Sequence, residues 1–118
     1  MALPAHAPAP PGTIALLEEN GEQVLVLSGE IDMSTVQAFE ARSGCPLQVL
    51  SPITSVAVAD VTAVTFIGCS GLSFLVRCTQ AARASGRRPL LRGPTPPVQR
   101  VLRLAGLTAL FDTDPHRR

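Results

Sequence analysis

Apolar runs typical of strands alternate along the chain with amphipathic stretches typical of helices. Two apolar runs flank Asn20-Gly21, a dipeptide that accepts the positive φ angles of a tight hairpin turn. Residues 55–60, SVAVAD, are β-branched and largely apolar, as in a buried parallel strand. The segment VTFIGCSGLSFL, residues 64–75, then passes from a β-branched run into a helical stripe. Further strands are predicted at residues 89–92 and, at a sheet edge, 108–111.

Capping residues and apolar spacing predict three helices. Ser34 is expected to cap a short helix that buries Val36 and Phe39 and that Gly44-Cys45-Pro46 ends. A second helix is predicted over about residues 70–85, with Gly86 as its stop. One face of this helix contains Leu72, Leu75, Val76 and Thr79. The segment PTPPVQRVLRLAGL begins with prolines and ends at a glycine, which predicts the third helix.

This order of elements predicts one α/β domain with a mixed β-sheet and helices mainly on one face. The chain has 118 residues, enough for a single modest core. Residues 1–12 contain four of the eleven prolines and are expected to form a disordered tail. The domain is expected to span residues 13–112, and residues 113–118 to form a polar tail.

Composition argues against several classes of function. A net charge of +1 and an aromatic content of 3% provide neither a basic field nor stacking platforms for nucleic acid. The chain has an odd number of cysteines, namely Cys45, Cys69 and Cys78, and no pair has C-x-x-C spacing. We therefore expect no disulfide framework and no metal site. The sequence has no signal peptide and no apolar run of the roughly 18 residues that a membrane span needs. A cytoplasmic domain without membrane insertion is therefore expected.

The turn Gly68-Cys69-Ser70-Gly71 carries the main candidate chemistry. A thiol at a helix start can be an activated nucleophile, and two glycines there can let backbone N–H groups approach a phosphate. In the structural alternative Ser70 caps the helix, Gly71 allows close packing and Cys69 is a small buried side chain.

Spacing argues against catalysis at this turn. Arg77 is too far along the chain for the C-x5-R pattern of a phosphatase, and Leu72 stands where a nucleophile elbow needs glycine. His6 and His116 lie in the termini, where neither is placed to act as a base. Because no Lys follows the glycines, a nucleotide cradle is also weakly supported. We therefore predict no enzyme activity, no catalytic residue and no cofactor.

Four segments, in order, carry a family resemblance. They are Gly29-Glu30-Ile31-Asp32, VAVADVTAVTFIGCSGL, RASGRRPLLRG and PTPPVQRVLRLAGLTALF. They resemble, in the same order, the G-E-(L/I)-D motif, the signature ending in D-S-S-G-L, the helix-to-strand link and the C-terminal pattern of the STAS family. That family is best known as bacterial anti-sigma-factor antagonists. The resemblance covers the chain from about Thr13 to Phe111.

The resemblance implies a protein-binding regulator of transcription and stress response. Such a domain docks on a kinase-type anti-sigma factor and frees a sigma factor. The kinase switches the antagonist off by phosphorylating the first serine of D-S-S-G, and a phosphatase restores it. The functional interpretation places Asp32 and Asp60 near a binding surface around the Gly68-Cys69-Ser70-Gly71 turn. The predicted partner-binding residues are Asp32, Asp60, Gly68, Cys69, Ser70, Gly71, Ser73 and Arg77. The alternative function is that of a STAS regulatory subunit in a membrane or lipid transport system.

The chain departs from the family pattern at the phosphorylation motif. Gly68 stands at the acidic position and Cys69 at the phosphoacceptor position, while Ser70 matches the second serine. Three alternatives follow: a binder that phosphorylation does not regulate, phosphorylation of Ser70 instead, or an oxidisable switch at Cys69. The first is favoured.

The helix that follows the turn has two further faces. Ser73, Arg77 and Gln80 are expected to point outward, where a partner can reach them. Phe74, Cys78 and Ala81 form a second stripe that is either core or an exposed docking strip, and core is favoured.

Overall fold

The computed structural model describes residues 12–43 and 56–114. The strands are β1 (Thr13–Glu19), β2 (Glu22–Ile31), β3 (Val58–Ile67), β4 (Leu90–Arg92) and β5 (Asp112–Asp114). The helices are α1 (Met33–Ser43), α2 (Cys69–Cys78), α3 (Gln80–Ala84) and α4 (Pro96–Ala105), followed by a 3₁₀ turn, Thr108–Leu110. In this part of the chain no helix is both long and apolar enough to cross a membrane.

The described strands form one mixed sheet in the order β1-β2-β3-β4-β5. The β1–β2 pair is antiparallel, and β2–β3, β3–β4 and β4–β5 are parallel. The predicted α/β class and mixed sheet are confirmed. The hairpin turn is also confirmed, since Asn20 and Gly21 have φ angles of 54° and 81°, both in the left-handed region.

β3 is longer than the sequence pattern predicts. It extends from Val58 to Ile67. Its pairing with β2 shifts register twice, and buried and exposed residues do not alternate strictly along it. Gly29, with φ of 75°, lies at one of these shifts, where a glycine tolerates the left-handed backbone. As a result, the carboxyl ends of β2 and β3 meet at Ile31 and Ile67.

The core contains one aromatic pair that joins the first two helices. Phe74 is fully buried, and its ring meets that of Phe39 edge-on with centroids 5.6 Å apart. Cys78 is also fully buried, and burial raises the pKa of its thiol to about 12. The second stripe is therefore core at Phe74 and Cys78, whereas Ala81 is exposed. Val36 is buried beside Phe39, as predicted.

The predicted second helix is divided at Thr79. The Thr79 hydroxyl donates to the Leu75 carbonyl oxygen at 2.9 Å and accepts a hydrogen bond from Arg83 Nη1 at 2.7 Å. This side chain satisfies backbone groups where α2 ends and α3 begins. Gly86 then follows α3 with φ of 93°, the predicted left-handed stop.

The C-terminal part confirms one prediction and corrects another. α4 ends at Gly106, whose φ of 72° is the expected left-handed cap. The predicted edge strand at residues 108–111 is wrong in position, because residues 108–110 form the 3₁₀ turn and the strand begins at Asp112. The helix break predicted at Gly44-Cys45-Pro46 and most of both predicted tails lie outside the described residues.

Phe74 anchors the core, so its truncation should be costly. We expect Phe74→Ala to lower the free energy of unfolding by about 3–5 kcal/mol in urea titrations. Phe66→Ala is the matched control: Phe66 is 51% exposed, and its loss should cost less than about 1 kcal/mol. Equal losses in the two variants would contradict this account of the core.

Candidate protein-docking site

Two helix starts lie side by side at the carboxyl ends of β2 and β3. Ile31 and Ile67 are partners in the sheet, and the chain turns into α1 and α2 just after them. The Gly68 N–H donates to the Ile31 carbonyl oxygen at 3.0 Å, which joins the second turn to the first. The Gly68-Cys69-Ser70-Gly71 turn is therefore held directly against the sheet.

Asp32 shapes the start of α1. Its Oδ1 accepts hydrogen bonds from the Thr35 N–H at 3.1 Å, the Thr35 hydroxyl at 3.0 Å and the Ser34 hydroxyl at 2.9 Å. These bonds, chiefly the one from the Thr35 backbone, lower the pKa of Asp32 below its ordinary 3.8. The prediction that Ser34 caps the helix is wrong. Asp32 precedes the first helical residue, Met33, and its carboxylate accepts the Thr35 N–H, while Ser34 lies inside the first turn.

Gly71 sets the distance between α2 and the sheet. A Cβ atom there would lie 2.7 Å from both Ile31 Cγ2 and the Ile31 carbonyl oxygen, and 2.9 Å from Ile67 Cγ1. Only a residue without a side chain fits, so the predicted close packing is confirmed. Gly68 is different, because a Cβ there would meet only the Phe66 ring at ordinary contact distance.

The structural alternative for Cys69 and Ser70 is wrong. Gly68 occupies the N-cap position of α2 with an extended backbone, and no side chain caps the helix there. Ser70 is the second residue of the helix, two positions past the cap, and its side chain is half-buried. Cys69, the first residue of α2, is exposed rather than buried.

A groove of about 390 Å³ runs between α1 and α2 and is lined by four of the eight predicted partner-binding residues. We call it the docking groove. It is lined by Met33, Val36, Gln37, Glu40, Cys69, Ser70, Ser73 and Arg77. Its groups are a thioether, a thiol, two hydroxyls, an amide, one carboxylate and one guanidinium. This mixture can bind another polypeptide through apolar contacts and hydrogen bonds, with one charge of each sign.

The α1 wall of the groove was missed by reasoning from sequence. Met33 is 59% exposed, and Gln37 and Glu40 follow it at helical spacing. That spacing was the available signal. The predicted outward positions agree with the structure, since Ser73 and Arg77 on α2 and Gln80 at the start of α3 are all exposed. Gln80 is not among the residues that line the groove.

Asp60 is not among the residues that line the docking groove. It is the third residue of β3, whereas the turn begins at Gly68, just after the last one, so Asp60 lies toward the opposite end of the strand. There its Oδ1 accepts the Thr62 N–H at 3.0 Å, and its Oδ2 is 3.5 Å from Arg92. The expectation that Asp60 lies beside the turn is wrong, because β3 continues for seven residues beyond it. Its contact with a partner stays a prediction.

The chain belongs to the STAS domain family. The family model described as "Mlab, STAS domain" matches residues 14–112. Over 100 residues, the chain is 31% identical to the anti-sigma-F factor antagonist RsfB of Mycobacterium tuberculosis, covering 84% of this chain and 78% of that protein. Both the family match and this relative span nearly all of the described domain.

Solved structures agree with the fold. An anti-sigma factor antagonist from Mycobacterium paratuberculosis is 28% identical with a TM-score of 0.59, over 90% of this chain and 87% of that one. The antagonist SpoIIAA in its unphosphorylated form is 20% identical with a TM-score of 0.61, over 87% and 89% of the two chains. The second likeness supports the fold alone, and both confirm a STAS-type mixed sheet with helices.

The Gly71 contact can be tested by stability. Gly→Ala inside a helix normally gains about 1 kcal/mol, but at Gly71 the added Cβ would press on the Ile31 backbone. We expect Gly71→Ala to lower the free energy of unfolding by about 1–3 kcal/mol in urea titrations. Gly68→Ala is the matched control and should change it by less than about 1 kcal/mol. A stabilising Gly71→Ala would contradict the close approach.

The Asp32 cap should give a specific pH dependence. Because folding lowers the pKa of Asp32, its stabilising effect is present above the ordinary 3.8 and is lost as pH falls through the lowered value. In urea titrations between about pH 5 and pH 2, wild-type protein should lose more stability than Asp32→Asn, which keeps a neutral capping oxygen. Parallel losses in the two proteins would rule out a charged cap.

Proposed function

We propose that this protein is an anti-sigma factor antagonist that docks through its docking groove on an anti-sigma factor of the serine-kinase type. The observation that carries the proposal is the groove itself. It brings Cys69, Ser70, Ser73 and Arg77 together on one accessible surface beside α1. The similarity to RsfB and to the antagonist from Mycobacterium paratuberculosis supports the same role. No feature of the groove or of these relatives favours the transport alternative.

The chemistry of the groove suits binding without a reaction. One carboxylate and one guanidinium offset each other, so the surface is close to neutral. The small side chains at the start of α2 leave backbone and hydroxyl groups within reach of a partner. Asp32 acts as a positioning residue, since it fixes the start of α1 and so the α1 wall of the groove. Met33 contributes an exposed apolar contact at the end of the groove.

We also propose that the usual phosphorylation switch is absent. A thiol stands at the phosphoacceptor position, and no carboxylate precedes it because residue 68 is glycine. A phosphate on the neighbouring hydroxyl would add about −1.5 to −2 charges to a nearly neutral groove and so repel a partner fitted to it. Cys69 would keep the antagonist in its binding-competent form. A phosphatase partner is then needed only if Ser70 accepts phosphate.

The role implies the remaining properties we predict for the protein. An antagonist of a cytoplasmic anti-sigma factor works in the bacterial cytoplasm and acts in transcriptional regulation, in a stress response. It performs no catalysis of its own and needs no cofactor.

Charge placed in the groove should abolish docking. We expect Ser70→Asp and Arg77→Asp each to weaken binding to the cognate anti-sigma factor at least about tenfold, because each adds negative charge to a desolvated contact. Isothermal titration calorimetry measures the effect. Ser85→Asp and Arg100→Asp are matched controls on exposed residues outside the groove and should bind normally. Unchanged binding of both groove variants would remove this surface from the proposal.

Mass spectrometry can test whether the phosphorylation switch is absent and whether two substitutions restore it. After incubation with the cognate kinase and ATP, wild-type protein should carry no phosphate, whereas Gly68→Asp/Cys69→Ser should be phosphorylated at residue 69. A Cβ fits at residue 68 without a close contact, so the double variant should fold. Gly68→Asp/Cys69→Ala is the control without an acceptor. Phosphate on Ser70 of the wild-type protein would contradict the proposal that phosphorylation does not switch this antagonist off.

A further inference from the structure

A second pocket, remote from the docking groove, is lined by three arginines. It has a volume of about 270 Å³ and is formed by Arg83, Gly86, Arg87, Arg88, Ala109 and Leu110. Helices α2 and α3 lead away from Cys69 to reach it. At a helical rise of about 1.5 Å per residue, the pocket lies about 20 Å from the turn. The proposed docking does not use these residues.

Arg83 is a preorganised cation in this pocket. Its Nη1 donates to the Thr79 hydroxyl and its Nη2 to the Val76 carbonyl oxygen, both at 2.7 Å, and its guanidinium lies 5.6 Å from the centre of the Phe111 ring. Both oxygens are neutral, and within the described part of the chain no carboxylate pairs with Arg83. A guanidinium has five N–H donors, so donors remain for a ligand.

The two neighbouring arginines make ion pairs that a ligand can replace. Arg87 contacts Glu22 at 2.9 Å and Arg88 contacts Asp112 at 3.2 Å. All four side chains are more than 40% exposed, and ion pairs of this kind contribute about 0–1 kcal/mol. A phosphate carries more charge than a carboxylate and accepts forked bonds from several guanidinium groups at once.

We propose that this pocket binds a phosphate group, held by Arg83, Arg87 and Arg88. Gly86 adds no side chain at the mouth of the pocket, since a Cβ there would meet nothing within 4 Å. Ala109 and Leu110 form an apolar wall. The phosphate can therefore be free or be part of a small molecule whose organic portion contacts that wall.

Titration of the full chain, followed by amide NMR shifts, tests the site. The probes are inorganic phosphate and adenosine 5′-monophosphate, each against sodium chloride at equal ionic strength. We expect phosphate-specific shifts around Arg83–Arg88 and Ala109–Asp112. Arg87→Gln should weaken binding about two- to fivefold, and Glu22→Gln, which removes a competing carboxylate, should strengthen it by a similar factor. Arg100→Gln, an exposed arginine outside the pocket, is the control and should bind as wild type does.

The opposite effects of Arg87→Gln and Glu22→Gln keep the test independent of folding, because a merely destabilised variant would not bind more tightly. Tighter binding of the nucleotide than of phosphate would assign an organic phosphate, and equal binding would assign the phosphate group alone. Shifts that sodium chloride reproduces, or equal weakening in Arg100→Gln, would mean general ionic attraction and overturn the site.

Discussion

The contact of Gly71 with Ile31 and Ile67 is the constraint on which the site depends. Because residue 71 has no side chain, the start of α2 lies directly on the paired ends of β2 and β3. The hydrogen bond from Gly68 to Ile31 fixes the same junction through the backbone. With α2 held there, Phe74 reaches Phe39 in the core, and Cys69 and Ser73 face the other way toward the groove. The core and the proposed docking surface therefore follow from the same close approach.

The proposed regulation rests on the difference between a thiol and a hydroxyl at one exposed position. Cys69 lies where the family pattern has its phosphoacceptor, and the structure leaves it accessible. Replacing the acceptor leaves the shape of the groove nearly unchanged but removes the atom that would receive phosphate. In the proposed function the protein keeps a binding surface and loses the means to switch it off by charge.

Much of the fold could be predicted because its signals are local. Asn20-Gly21 and Gly106 require left-handed backbone, and both were assigned correctly from residue type alone. The stripe through Phe74 and Cys78 was correctly favoured as core. Local signals failed where two residues compete for one role: Asp32 rather than Ser34 supplies the side-chain oxygen at the start of α1.

The candidate site was only half predictable, because a groove needs two walls. The α2 wall follows from the turn and the helical spacing after it. The α1 wall, with Met33 and Glu40, depends on how two helices pack side by side, which no local pattern contains. Asp60 was misplaced because β3 does not end beside it: the strand is paired with β2 as far as Ile67.

Alkylation of Cys69 tests the central claim most directly, because its thiol lies in the groove while that of Cys78 is fully buried. Peptide mapping after iodoacetamide treatment would compare the free protein with its complex with the cognate anti-sigma factor. We predict rapid labelling of Cys69 in the free protein and at least about tenfold slower labelling in the complex, because the partner covers the groove. Equal labelling rates in a saturated complex would show that the partner binds elsewhere and would contradict the account.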